Sequence, residues 1–102
     1  MLKVRVFEWI NGNNIKGLSV TGTHENDGKK TTYILSVSSE NAHDPLKDAA
    51  NSLALYAKEA SSPICIEFPR HLEINHFPNG VSAILLPLTD ELAFRFWGYL
   101  RE

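Results

Sequence analysis

Between Phe68 and Phe77 the sequence FPRHLEINHF gathers Arg70, His71, Glu73, Asn75 and His76 into one short segment. These side chains could hold an anion, move a proton or begin a metal site. In the chemical reading, Arg70 grips a phosphate or carboxylate while His71 acts as general acid or base with Glu73 beside it. That would make the chain a small hydrolase or a nucleotide- or phosphate-binding domain. A His-x-Glu pair could also start a zinc site, but zinc normally takes at least three protein ligands. His24 and His43 lie in or beside turns and would have to be recruited by folding. No metal and no cofactor is expected.

Strand geometry works against a reaction centre here. In a regular strand His71, Glu73 and Asn75 share one face while Leu72, Ile74 and His76 share the other, so the two histidines point apart. The simpler expectation is a solvated face of His, Glu and Asn opposite a core face of Leu72 and Ile74.

Other chemistry is sparser. The loop SVSSENAHDP leads from a strand into a helix, a common place to bind phosphate on free backbone N–H groups. Asp44, however, is placed to cap the helix itself and would repel an anion. The sequence has no P-loop, dinucleotide fingerprint, HExxH or GxSxG. Cys65 stands alone between Ile64 and Ile66 with no basic neighbour in sequence, and is expected to be an inert strand residue. On the first segment Lys3, Arg5, Phe7 and Trp9 share one face, a mix of cations and aromatics that could stack bases or grip a peptide. The competing expectation, and the favoured one, is that a helix covers this face.

The elements that must position these groups follow from periodicity. MLKVRVFEWI alternates with period two, the Asn-rich cluster at 11–14 supplies a turn, and a second strand runs from about Ile15 to Thr23. Asp27-Gly28 marks the next turn, and TTYILSVS is rich in β-branched and aromatic residues. Asp44-Pro45 starts a helix, with Leu46, Ala50, Leu53, Ala57 and Ala60 on its apolar stripe. Ser61-Ser62-Pro63 ends it. ICIEF is a short strand, and LEINHF and VSAILLPL flank a turn at Pro78, Asn79 and Gly80. Ala83 to Leu86 is apolar on both faces, as in a strand covered on each side. Thr89 caps a final helix with Asp90 and Glu91 in its first turn. The order βββαβββα predicts one α+β domain over residues 1–102, a mostly antiparallel sheet with two helices packed on it.

The last helix carries an anomaly. Leu92, Ala93, Phe96, Trp97 and Leu100 form a broad core face, yet Phe94 falls on the side of Glu91, Gly98 and Arg101. On the first helix Leu55 lies roughly 200° from Leu53 at ~100° per residue. Both should be exposed. Together with Arg95 and Trp97 they suggest a surface that meets another protein, including a second copy of the chain as a homodimer.

Composition narrows the classes. The chain has 102 residues, is 43% hydrophobic and 22% charged, and carries a formal charge of −2, the balance of an ordinary globular domain. With a sequence pI near 6.1, nucleic acid is not the expected partner. No apolar run approaches the ~20 residues that cross a bilayer, and the single cysteine forms no internal disulfide. The expectation is a cytoplasmic, non-enzymatic binding or regulatory module.

Overall fold

The computed structural model describes residues 1–76 and 82–101. It is an α+β fold, a six-stranded sheet with two helices, in the order expected from periodicity. The strands are β1 (Leu2–Asn11), β2 (Lys16–Asn26), β3 (Lys29–Ser38), β4 (Ile64–Glu67), β5 (Glu73–His76) and β6 (Ser82–Pro87). The helices are α1 (Pro45–Ala60) and α2 (Asp90–Leu100).

Local chemistry explains the turns. Between β1 and β2, the Asn11 side-chain oxygen accepts from the N–H groups of Asn13 and Ile15, and Asn14 takes the positive φ of 61° that asparagine tolerates. Between β2 and β3, Asp27 and Gly28 both have positive φ, the backbone of a two-residue turn that matches the right-handed strand twist. The turn expected at Pro78, Asn79 and Gly80 lies outside the described residues.

Helix α1 begins where Asp44 accepts from the Lys47 N–H at 3.3 Å and Pro45 occupies the first turn. It ends at Ser61, whose left-handed backbone lets its own N–H and that of Ser62 reach back to Lys58 and Ala57 carbonyls. Its Ala49, Ala50 and Ala57 are buried, which lets the helix lie close on the sheet beside Leu46 and Leu53. The opposing sheet surface is Leu2, Val4 and Val6 of β1 with Leu18 and Val20 of β2. From α2 only Phe96 is fully buried, and it completes this core.

Strand β1 is central, and its two edges differ. One edge pairs along its length with β2, which pairs with β3. The other is split: β4 runs parallel to Leu2–Arg5, and β6 runs antiparallel to Phe7–Asn11. The parallel pair is what a helical crossover through α1 produces. Strand β5 pairs with β6 and forms the far edge.

Three expectations about faces are corrected. The helices lie on the Leu2, Val4 and Val6 side, so among the described residues no helix covers the face of Lys3, Arg5, Phe7 and Trp9. Leu72 and Ile74 are exposed and make no core face, because β5 lies at the sheet edge, and α1 packs over β2 and β3 instead. Strand β6 buries Ala83 and Leu85 but exposes Ile84, so it is covered on one face only. Among the described residues no helix is long and apolar enough to cross a membrane.

Candidate functional site

The open face of the sheet is built by register. Cys65, Lys3, Thr23 and Thr32 align across β4, β1, β2 and β3, and in the next row Glu67, Arg5 and Thr21 align in the same way. These side chains line a shallow concavity of about 330 Å³. Lys3 and Cys65 are both exposed, so the basic neighbour that Cys65 lacks in sequence is supplied across the strand pair.

Phe7 and Trp9 share this side without forming a free aromatic platform. Phe7 is only 3% exposed, and the Arg5 guanidinium lies 5.1 Å from its ring centroid, a cation over an aromatic face. The Trp9 ring lies across Gly17 and donates its Nε1–H to the Leu18 carbonyl at 3.2 Å. A Cβ on Gly17 would meet that ring at 2.5 Å, so glycine is what permits the tryptophan to lie flat.

Folding joins two groups that are separate in sequence. Arg5 Nη2 donates to Glu73 Oε1 at 2.7 Å, and His71 Nε2 lies 3.1 Å from the same oxygen. The hydrogen bond from Arg5 holds the Glu73 carboxyl below its ordinary value; desolvation opposes it, and the contact with His71 adds to the lowering. A carboxylate that binds and orients a histidine can support proton transfer. Yet His71 is largely exposed, and neither this concavity nor the crevice between the starts of α1 and α2 is lined by His71 or Glu73. Arg70 does not join them. Its guanidinium lies 4.0 Å from Asp90, with both side chains almost wholly in water, a pair worth little. The arginine of the cluster is Arg5, 68 positions from Glu73, and no sequence pattern near His71 pointed to it. Among the described residues no group of three or more His, Cys, Asp and Glu could hold a metal.

The helical layer presents the second candidate surface. Phe94 is 82% exposed, Leu55 59% and Trp97 40%, so the two residues expected outside are outside, and Trp97 is less covered than its place on the apolar stripe implied. Trp97 packs one edge against Phe68, with ring centroids 6.4 Å apart, and Phe68 in turn meets buried Phe96 edge-on. Phe94 and Trp97 are three residues apart, so they are neighbours on the helix surface.

Arg95 turns away from them. It donates to the Tyr99 hydroxyl at 3.4 Å, and that hydroxyl donates to Asp44 at 3.3 Å. The bond to Tyr99 raises the Arg95 pKa above its ordinary value, with Asp44 and Glu91 adding to it. Arg95 thereby lines a crevice of about 220 Å³ with Asp44, Glu8 and Lys16, between the start of α1, the start of α2 and the sheet. The bond from the Tyr99 hydroxyl to Asp44 is what ties α2 to the start of α1.

Comparison with protein-family models, curated proteins and solved structures returns no match, so the site stands on its own geometry.

Proposed function

We propose that this chain is a non-enzymatic, cytoplasmic binding or regulatory module that self-associates through the outer surface of its helices and acts by occupying its partner. The observation that carries this reading is Phe94, 82% exposed on a helix whose opposite face is packed into the core. An isolated exposed apolar side chain is ordinary. Here it adjoins half-exposed Trp97, and large aromatic side chains such as these are enriched at interface centres. The alternative, a small hydrolase or phosphate-binding domain using Arg70, His71 and Glu73, has less support because Arg70 sits against Asp90 and not with the other two.

Solution mass by light scattering over a concentration series, with Phe94→Ser and Leu55→Ser run beside the wild type, tests the proposal. The wild type should gain mass with concentration, and Phe94→Ser should remain at the monomer mass of 11.4 kDa. A wild type that stays monomeric throughout would remove the reading.

A further inference from the structure

The outer side of α2 has an internal symmetry. At about 100° per residue, Asp90, Phe94, Trp97 and Arg101 fall within about 60° of one another, in steps of four, three and four. Phe96, the one buried residue of the helix, lies on the opposite side. Arg101 belongs to the stripe because it caps the helix in right-handed backbone, with φ −86° and ψ −7°. Read from either end the stripe runs charge, aromatic, aromatic, charge, with the sign of the charge reversed.

That order is complementary to itself when turned end for end. Resting on the self-association proposed above, we infer that two copies of the chain pair α2 against α2 in antiparallel fashion, about a two-fold axis passing midway between Phe94 and Trp97. The axis sets Phe94 of each copy against Trp97 of the other, and Asp90 of each against Arg101 of the other. Each aromatic meets an aromatic, and each carboxylate a guanidinium, twice over, as a two-fold interface requires. A parallel pairing would instead set Asp90 against Asp90 and Arg101 against Arg101.

The charges are in a state to serve this contact. The Asp90 side chain is 96% exposed, and its intrachain contact with Arg70 is at 4.0 Å, the outer limit of an ion pair. Arg101 is exposed, and the ion pairs found among the described residues do not include it. The steps of four and three match the seam of helices that cross at about 20° with knobs in holes. Gly98 lies beside Phe94 on the helix, and a Cβ there would meet nothing within 4 Å in its own chain. The fold therefore gives no reason for a glycine there, while a second helix approaching the seam does.

Charge reversal tests the pairing. Sedimentation equilibrium would compare the wild type with Arg101→Asp, Asp90→Arg and the chain carrying both changes. Each single reversal puts like charges together at two symmetric places and should raise the dimer dissociation constant about tenfold. The double variant restores both pairs with their signs exchanged and should return toward the wild-type value. Far-ultraviolet circular dichroism of every variant checks that the helices persist. Should a single reversal lose helix, Arg101→Gln and Asp90→Asn provide milder versions, each expected to weaken the dimer, and more so at low salt. If Phe94→Ser abolishes association while the charge variants leave it unchanged, the helical surface is still the interface and the antiparallel seam is wrong. If the wild type never associates, both fall together.

Discussion

Replacing Gly17 with alanine is the sharpest test of how the first strand is packed. The added Cβ would overlap the Val37 carbonyl oxygen and lie 2.5 Å from two carbons of the Trp9 ring. The carbonyl belongs to β3, which pairs with β2 through this register, so it cannot retreat without opening the ladder. The ring can rotate, but only by surrendering its hydrogen bond to the Leu18 carbonyl. Overpacking of this kind costs about 1–3 kcal/mol and the lost hydrogen bond about 1, which together make about 2–4 kcal/mol. Against a typical total of about 5–15 kcal/mol for a domain, that is a large fraction. Urea denaturation followed by tryptophan fluorescence would measure it. Gly12→Ala serves as control, since its Cβ enters open space and its backbone lies outside the left-handed region that favours glycine. If Gly17→Ala unfolds within 0.5 kcal/mol of wild type, an ordinary surface effect of about that size, then Trp9 does not lie across β2 as described.

Two further perturbations probe other contacts. Glu73 titrates lower in the folded state than its ordinary value of 4.5, so its stabilising contribution is present above that value and is lost as pH falls through the folded one. The stability gap between wild type and Glu73→Gln should therefore be open at neutral pH and close in acid; a gap independent of pH would mean Arg5 and His71 do not hold the carboxylate. Asp44→Ala removes the N-cap of α1 and should cost about 1 kcal/mol in thermal or urea unfolding, with Asp44→Asn recovering most of it, because asparagine caps equally well. Equal losses from both substitutions would instead assign the role of Asp44 to its bond with Tyr99.

What the sequence revealed was local. Asp27-Gly28, Asp44-Pro45 and Thr89 mark turns and helix starts because the chemistry that ends or begins an element resides in the residues themselves. Exposure of Phe94 and Leu55 was legible for the same reason, since helical period alone places them opposite the buried stripe. Alternation, by contrast, separates the two faces of a strand without saying which one receives a helix. It therefore misassigned the face of Lys3 and Arg5, and it gave β5 a core side at Leu72 and Ile74 where the sheet runs beyond its helices. The meeting of Arg5 with Glu73 depends on β4 and β6 sharing one edge of β1, a tertiary fact with no trace in either segment. Arg70, next to His71 in sequence, was the arginine that proximity suggested and the fold did not use.

An interface on the outer surface of the helices would respond to dilution residue by residue. The most direct measurement is a dilution series of ¹⁵N–¹H correlation spectra on the wild type and on Phe94→Ser. Self-association through α2 predicts concentration-dependent shifts at Asp90, Phe94, Trp97 and Arg101, none on the open sheet face at Lys3, Thr21 and Thr23, and none anywhere in the variant. Shifts that gather on the sheet face, or spectra unchanged across the whole concentration range, would contradict it.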